Sequence, residues 1–315
     1  MSAISIIKKL KPYNIVKGLR YLRHFGFREF CVRLSERMEP EEVPYGPWYE
    51  SHRKTPEELD KQRKKTWKQP PVFSIAVPVF HTPEELLKQM IDSVLAQTYP
   101  YWELCIANGS PDDETMKRVL KAYVLQDSRI RVTDLAENLG IAGNSNAALA
   151  MAGGEFVGFL DHDDVLSPDA LWEIASYVEK EPDTDVIYTD EDKVTEDLAE
   201  HFQPHLKPDF NQDLLRSNNY ICHFLTVRRS LISQTGGFRE EFDGAQDYDF
   251  VFRCTEAARR VGHVPEILYH WRVSKTSTAD NPMSKMYAYE AGKRAIEEHL
   301  QRQGVKGEVT LKKDL

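Results

Sequence analysis

The sequence is poor in cysteine and contains no long apolar run. Its 315 residues include four cysteines, at positions 31, 105, 222 and 254, and none of them forms a C-x-x-C pair. No zinc-finger pattern occurs, and the apolar neighbours of three of these cysteines indicate reduced, buried thiols. No stretch approaches the roughly 20 apolar residues that span a bilayer, and the first thirty residues carry too many charges for a secretory signal. We therefore expect a cytoplasmic protein.

Excess positive charge and the common nucleotide-binding loops are also missing. The formal net charge is −9 and the pI is near 5.6, which argues against nucleic acid as a partner. Neither G-x-x-x-x-G-K-S/T nor G-x-G-x-x-G after the first predicted strand is found, so a P-loop ATPase and a dinucleotide-dependent oxidoreductase are not supported. Hydrophobic residues make up 41% of the chain, which is enough for one large domain with an apolar core.

The charge is unevenly distributed along the chain. Residues 1–39 hold nine Lys/Arg and three Glu, a balance of +6, which leaves −15 for the rest of a chain whose total is −9. Apolar residues such as Leu19 and Leu22 are interleaved with basic ones such as Lys17 and Arg20, as in a helix that lies in a membrane interface. The same pattern is common in helices that pack on their own domain or on a second subunit. Both interpretations stay open: a peripheral arm at the inner face of the cell membrane, or a packing arm, with a homodimer as one form of it.

Two further segments follow this basic helical arm. Residues 40–72 are polar and rich in proline, and we interpret them as a linker with one helix, from about Pro56 to Trp67. Residues 73–315 alternate between apolar strand-like and amphipathic helix-like segments. We therefore expect the chemistry of the protein in residues 73–315.

The alternation at the start of this main domain predicts its fold class. Strands are predicted at Phe73–Val79, Trp102–Ala107, Ile130–Thr133 and Phe156–Leu160, and helices at about 82–97, 112–126 and 143–152. This order predicts an α/β fold with a mixed, mostly parallel sheet and helices on both faces. Ligands of such sheets bind beyond the carboxyl ends of the strands, so the polar tips after the four strands should converge on one crevice.

An apolar strand that ends in three carboxylates is the strongest chemical signal. Asp161, Asp163 and Asp164 lie within four residues and directly follow Gly158-Phe-Leu. Carboxylates this close repel each other unless a cation shares them, and their hard oxygen atoms suit Mg²⁺ or Mn²⁺. The alternative is a cluster that caps the next helix, but Ser167 already supplies that cap. A cation held by so few side chains completes its shell with phosphate and water, which favours a nucleotide or nucleotide-sugar ligand.

A series of short motifs resembles a known enzyme family. The chain contains, in order, Pro78-Val-Phe80, Ser93-Val-Leu-Ala-Gln97-Thr-Tyr99, Asn108-Gly-Ser110, Asn138-Leu-Gly140, Asn144 and Asn146, Asp161-His-Asp163-Asp164, and Gly236-Gly-Phe238. Together they resemble the family 2 glycosyltransferases with the Rossmann-like GT-A fold, as found in bacterial surface-polysaccharide synthesis. The resemblance covers residues 73 to about 275. It implies inverting transfer of a sugar from a nucleoside diphosphate sugar to a glycan or lipid-linked saccharide, assisted by Mn²⁺ or Mg²⁺.

The resemblance also implies roles for individual residues. It divides the main domain into a nucleotide-sugar half, residues 73–165, and an acceptor half, residues 166–315. The implied cation ligands are Asp161, Asp163 and His270. The residues implied for the donor are Pro78, Phe80, Ala107, Asn108, Ser110, Asn138, Gly140, Asn144, Asp161, His162 and Arg272.

The general base implied by the resemblance is Asp247. It matches the Asp of the family's Glu-Asp pair, whose first residue is Gln246 here. The alternative is that Asp247 caps the helix predicted from about Tyr248 to Ala258. The segment Asn218–Phe224 resembles the family's acceptor-side wall, with core packing as the alternative.

Two departures from the family and one acidic run leave questions open. Phe80-His81 stands where the family usually has Tyr-Asn, and Ala107-Asn108 where it has an acidic pair that binds the base, so the identity of the base is left open. The run Thr189–Asp192 is expected at an exposed tip, beside the acceptor or in solvent. The alternatives to a transferase are a nucleotidyltransferase that makes nucleotide-sugars and a non-catalytic nucleotide-sugar-binding subunit.

Overall fold

A computed structural model describes residues 12–38, 43–273 and 286–311 of the chain. Two compact units are present: residues 1–51 with 311–315, and residues 52–310. The first unit contains α1 (Pro12–Met38), which is interrupted at Gly26, and α2 (Tyr45–His52). Of the predicted arm at residues 1–39, residues 12–38 are helical, and the rest lies outside the described residues. Within the described ranges, no helix is long and apolar enough to cross a membrane.

The second unit is built from alternating strands and helices. Its strands are β1 (Phe73–Val79), β2 (Trp102–Asn108), β3 (Ile130–Asp134), β4 (Phe156–Phe159), β5 (Val165–Leu166), β6 (Val186–Thr195), β7 (His201–His205), β8 (Thr226–Arg228) and β9 (Val261–Val273). Its helices are α3 (Pro56–Arg63), α4 (Glu84–Leu95), α5 (Glu114–Gln126), α6 (Gly140–Ala150), α7 (Ala170–Lys180), α8 (Gln212–Ser217), α9 (Arg229–Thr235), α10 (Gln246–Ala257) and α11 (Met286–Arg302), with a 3₁₀ turn at Glu240–Phe242.

One mixed sheet runs through the second unit. Its strand order is β3-β2-β1-β4-β8-β6-β9-β5, and β7 pairs with the free side of part of β6. The pairs β3-β2, β2-β1, β1-β4 and β6-β9 are parallel, whereas β8, β5 and β7 run antiparallel to their neighbours. The carboxyl ends of β1 to β4 therefore lie at one edge of the sheet. Next to β4, the sheet continues with β8 and β6, which belong to the second half of the chain.

Helices cover both faces of the sheet because β1 is apolar on both sides. Phe73, Ile75 and Val77 belong to one buried cluster, which includes residues of α4, α5 and α7. Ala76, which points to the opposite face, belongs to a second cluster with residues of α6, α10 and α11. The predicted α/β class with a mostly parallel sheet between helices is confirmed. The helix predicted near residue 143 begins earlier, at Gly140, because Asn138 Oδ1 accepts a bond from the Gly140 N–H at 3.1 Å.

Candidate active site

The loops that follow β1, β2 and β3 are bonded to one another at the carboxyl edge of the sheet. The backbone N–H of His81, after β1, donates to Ser110 Oγ, after β2, at 2.8 Å. Asn108 Nδ2 donates to Asp134 Oδ1 at 2.8 Å and thus joins the ends of β2 and β3. The polar tips therefore converge on one edge, as the strand order requires.

The loop before α6 is shaped by asparagine and glycine. Asn138 Oδ1 accepts from Asn144 Nδ2 at 2.8 Å as well as from the Gly140 N–H. Gly140 has a φ of +74°, a left-handed conformation that a residue with a Cβ adopts at a cost. A Cβ on Gly109 would lie 2.6 Å from Asn144 Nδ2, so the loop after β2 packs directly on α6. Asn138, Gly140 and Asn144 thus build the frame of this edge.

The residues expected around the nucleoside differ in exposure. Phe80 is 41% exposed. Pro78 is half-buried, and Ala107, Asn108 and Ser110 are buried. Asn108 Oδ1 accepts from the Ser110 N–H at 3.0 Å, so both ends of its amide are bonded within the protein. Asp134, the last residue of β3, is an exposed acid at this edge that no sequence motif indicated.

Two of the clustered acids at the end of β4 remain accessible. The side chains of Asp161 and Asp163 are 53% and 39% exposed. His162, between them, is 32% exposed, and its Nδ1 lies 3.9 Å from Asp163 Oδ1. Two exposed carboxylates at the end of a buried strand are the hard oxygen donors that Mn²⁺ and Mg²⁺ bind. The residues present therefore fit a divalent cation.

Asp164, the third acid, turns into the protein. It is 1% exposed, the Tyr269 hydroxyl donates to its Oδ2, and the Arg272 backbone N–H donates to its Oδ1 at 2.7 Å. Burial, together with the charges of Asp161 and Asp163, raises the pKa of Asp164 well above its usual range. Asp164 thus fastens the acidic loop, Asp161–Asp164, to β9 and is not accessible to a cation, whereas Asp161 and Asp163 stay predicted ligands.

His223 lies beside the acidic loop. Its Nε2 is 3.7 Å from Asp161 Oδ2, and its ring stacks on Tyr269 with centroids 4.5 Å apart and an interplanar angle of 11°. Its Nδ1 and its backbone N–H approach the same Glu191 oxygen, at 3.2 and 3.0 Å. Burial opposes the charge, but Glu191 and then the charges of Asp161 and Asp164 together raise the pKa of His223 to about 9. The one sequence signal for His223 was its position in the segment Asn218–Phe224, which resembles the acceptor-side wall of the family.

Glu191 is the buried carboxylate that holds this corner together. Besides His223, it contacts Lys207 Nζ at 3.1 Å and His205 Nδ1 at 3.4 Å. Burial by itself raises the pKa of Glu191, yet hydrogen bonds from His205 and His223 and the charge of Lys207 lower it well below its usual range. The run Thr189–Asp192 was expected at a tip, beside the acceptor or in solvent, and the expectation of a solvated tip was wrong. The run lies inside β6 and is buried, since β9 pairs with this stretch on one side and β7 pairs with part of it on the other.

His270 is held by a different carboxylate. Its Nδ1 is 2.6 Å from Asp192 Oδ1, and His201 Nδ1 is 2.8 Å from Asp192 Oδ2. Successive side chains of a strand point to opposite faces, so His270 points away from the face on which Tyr269 meets the acidic loop. Ligand atoms around a tetrahedral zinc ion are about 3.3 Å apart, given metal–nitrogen bonds of about 2.0 Å. The distances of His270 and His201 to Asp192 are shorter and are those of hydrogen bonds. The role of His270 as a ligand of the cation at Asp161 stays a prediction.

Asp247 lies in the first turn of α10 and is half-buried. Asn219 Nδ2 donates to its Oδ2 at 2.9 Å. Burial raises the pKa of Asp247 above its ordinary value, with a smaller contribution from the charge of Asp161, while backbone N–H groups and the charge of His223 oppose the rise. The cap position is occupied by Ala245, so capping does not account for Asp247. A carboxylate with these properties is suited to remove a proton near neutral pH.

Arg272, expected near the diphosphate, is 1% exposed and incompletely bonded. Its Nη1 donates to Gln89 Oε1 and to the Glu196 carbonyl, whereas Nε and Nη2 have no partner among the described residues. Burial lowers the pKa of Arg272, although the charge of Asp164 opposes this. A cleft of about 550 Å³ lies beside Gln89, but Glu85 and Glu196 line it, and this acidic lining does not suit a diphosphate.

Comparison with known sequences gives one family and several relatives. Residues 74–236 match the family described as Glycosyl transferase family 2. The chain is 44% identical over 234 residues to the uncharacterized protein y4gI of Sinorhizobium fredii, and 40% identical over 241 residues to the O-antigen biosynthesis protein RfbC of Myxococcus xanthus. These alignments cover 74% and 76% of this chain but 26% and 19% of the relatives. The chain thus spans about a quarter or less of their length.

Solved structures share the fold. S. aureus TarS in complex with UDP-GlcNAc superposes with a TM-score of 0.60 at 22% identity, covering 73% of this chain and 66% of that one. TarS in complex with UDP gives a TM-score of 0.58 at the same identity, covering 73% and 65%. This likeness confirms the predicted GT-A fold.

Proposed function

Because the chain belongs to glycosyl transferase family 2, we propose that it is an inverting enzyme of polysaccharide synthesis. It moves a sugar from a nucleoside diphosphate sugar to a hydroxyl of a glycan or lipid-linked saccharide. The similarity to RfbC supports the assignment. So does that to a chondroitin synthase of Pasteurella multocida, which is 30% identical to this chain in an alignment that covers 64% of this chain and 20% of the synthase. So do the TarS complexes with UDP and UDP-GlcNAc.

The observation that carries the proposal is the meeting of two kinds of carboxylate around His223. Exposed Asp161 lies 3.7 Å from this imidazole, and the charges of both residues act on half-buried Asp247. One site thus offers oxygen ligands and a candidate base. Inverting transfer requires both, because the acceptor attacks from the side opposite the departing diphosphate.

The donor side of the site is assigned to four side chains. Asp161 and Asp163 would hold the Mn²⁺ or Mg²⁺. When bound, this cation supplies positive charge that stabilises the departing nucleoside diphosphate. Phe80 offers an exposed ring to the nucleoside, and the exposed Asp134 carboxylate can accept a bond from a base N–H.

The acceptor side depends on Asp247. As a carboxylate it takes the proton from the acceptor hydroxyl while the oxygen attacks the anomeric carbon. On the donor side, the backbone N–H of Arg272 donates to Asp164, and its Nε and Nη2, which have no partner among the described residues, would suit an anionic ligand.

The first experiment measures donor binding. Thermal shifts of the full chain with nucleoside diphosphates and nucleotide-sugars, with and without Mn²⁺, report ligands that bind the native state. Asp163→Asn should abolish the Mn²⁺-dependent shift, whereas Asp60→Asn, an exposed residue of α3 paired with Arg63, should retain it. A full shift in Asp163→Asn, or in the presence of EDTA, would remove the cation from the proposal.

The second experiment measures transfer. Asp247→Asn should lower kcat by about 10²- to 10⁴-fold with donor affinity unchanged, because the amide cannot accept the proton. Near-normal turnover of this variant would show that another group is the base. Release of pyrophosphate from a nucleoside triphosphate and a sugar phosphate would identify a nucleotidyltransferase instead. If the protein binds the donor but shows neither transfer nor slow hydrolysis of the donor, it is a binding subunit.

The basic arm at residues 1–39 is proposed to contact anionic lipid at the cytoplasmic face of the membrane. In α1, Leu19 and Phe27 are 61% and 73% exposed, and Arg23 and Arg28 are exposed as well. Flotation of the full chain with anionic liposomes, compared with a variant that lacks residues 1–39, tests this contact. Equal flotation of both would favour a packing arm, and sedimentation would then show whether it joins two subunits.

A further inference from the structure

The side chain of Asn219 has one polar contact among the described residues, and that contact is with Asp247. Its Nδ2 donates to Asp247 Oδ2 at 2.9 Å, while its buried Oδ1 accepts no hydrogen bond. Buried amide oxygens are usually paired, and an unpaired one costs about 1–3 kcal/mol. The amide is therefore placed to serve the carboxylate and not to connect its own loop.

The loop that carries Asn219 is fixed by other groups. The backbone N–H of Asn211 donates to the hydroxyl of Tyr220, the next residue, at 2.8 Å, and Tyr220 is 1% exposed. The thiol of Cys222 donates to the backbone oxygen of Asn219 at 2.9 Å. The backbone thus stays in place without the Asn219 side chain, so a change of that side chain acts on Asp247 first.

Charged groups from several elements act on Asp247. His223 from the same loop favours the carboxylate, Asp161 after β4 disfavours it, and the backbone N–H groups of Asp247 and Tyr248 favour it. Asn219 adds a neutral donor bonded directly to one oxygen. A bond to the charged form stabilises the carboxylate, and a donor on one oxygen also fixes which way the group faces.

We propose that Asn219 is a positioning residue for the base: its amide orients the Asp247 carboxylate toward the acceptor hydroxyl and keeps it ionised. This role rests on the proposed function, since it assigns Asn219 to the same transfer step. Its direct consequence, control of the Asp247 carboxylate, can be measured without any substrate.

The direct test is a carboxyl ¹³C NMR titration of the Asp-labelled full chain, with the Asp247 signal assigned by its loss in Asp247→Asn. In Asn219→Ala the carboxyl should titrate at higher pH than in the wild type, because the stabilising donor is gone. In Asn219→Asp a second negative charge should raise the midpoint further. Unchanged titration in both variants would overturn the proposal, whether or not the protein proves to be a transferase.

The kinetic test separates orientation from ionisation. Asn219→Ala should lower the plateau kcat about ten-fold, the equivalent of one lost hydrogen bond to a charged group, with donor KM unchanged. The acid limb of the kcat–pH profile of Asn219→Ala should move to higher pH. Asn219→Gln, which keeps the amide, should recover part of the lost kcat and part of the pH shift. An unmoved acid limb with a wild-type plateau would refute the positioning role.

Asn211→Ala is the matched control. It also removes a 2.9 Å bond to an asparagine side chain, which the Leu214 N–H at the start of α8 donates to Asn211 Oδ1. Asn211 precedes α8, and the loop with Asn219 follows that helix. We expect a lower Tm from the lost cap and no movement of the Asp247 titration. If Asn211→Ala moves the titration as much as Asn219→Ala does, the effect is a general loosening of the loop.

Discussion

Glu191→Gln is the substitution for which the structure gives the most detailed expectation. The change keeps the shape of the side chain but removes the charge that faces Lys207, whose side chain is fully buried. Breaking a buried ion pair by removing one partner costs about 3–5 kcal/mol, because the other charge is left uncompensated. Lys207 also donates to the Ile221 and His223 carbonyls, so we expect the lower end, about 3 kcal/mol.

The consequence should be visible in stability and in binding. A loss of about 3 kcal/mol lowers the Tm of a unit of this size by about 6 to 12 °C, measured by circular dichroism and urea denaturation. His223 loses its anionic partner, so the Mn²⁺-dependent thermal shift by the donor should weaken as well. The acidic loop itself is retained through Tyr269 and Asp164.

A double substitution decides whether the reasoning holds. Glu191→Gln with Lys207→Met removes both charges, and well-packed neutral groups in place of a buried pair are often as stable as the pair. We expect the double variant to regain most of the lost stability, with a coupling of about 2 kcal/mol. If the double variant loses as much unfolding free energy as the two single variants lose in sum, the uncompensated Lys207 charge is not the cause of the destabilisation by Glu191→Gln.

The pH dependence of the same variant has a defined sign. The folded-state pKa of Glu191 lies below its ordinary value of 4.5. Its contribution to stability is therefore fully present above that value and is lost as the pH falls toward the folded-state pKa. The stability advantage of the wild type over Glu191→Gln should shrink below about pH 4.5. An advantage that grows on acidification would contradict the ion-pair assignment.

Three further predictions concern the two sides of the site. Asp134→Asn should weaken binding of uridine or thymidine diphosphate in calorimetry while the Tm stays constant, and unchanged affinity would exclude Asp134 from base recognition. Tyr269→Phe removes the hydroxyl bonded to buried Asp164 and should cost about 1–3 kcal/mol in urea denaturation, with a weaker Mn²⁺-dependent donor shift. The kcat–pH profile of the wild type should fall on the acid side with a midpoint above 3.8, since protonated Asp247 cannot act as a base. A flat profile down to that pH would argue against this base.

Local patterns were sufficient to predict the first half of the fold. The strand at Phe73–Val79 was predicted with its observed bounds, because a short apolar run between turn signals has few other stable forms. The helices α4 and α5 have an amphipathic spacing, and the acids at Asp161 and Asp163 stand at the abrupt end of a buried strand. These features depend on residues close together in the chain.

Pairing between distant segments decided the rest. The short strands β5 and β8 have too few residues for a periodic signal, and their antiparallel pairing depends on partners far along the chain. The same holds for Asp164, which looks like a cation ligand in sequence but becomes an anchor when Tyr269 approaches it.

The two histidines show the difference most directly. The family resemblance implied His270, yet strand alternation turns it toward Asp192, on the face opposite to Tyr269. His223 has no recognisable motif and reaches the acidic loop because Glu191, 32 residues earlier, holds both its ring and its backbone. The sequence by itself determined which residue types could perform the chemistry. Only the tertiary structure decided which of them meet, because the face of a strand and the partner of a buried charge are set by contacts between segments that are distant in the chain.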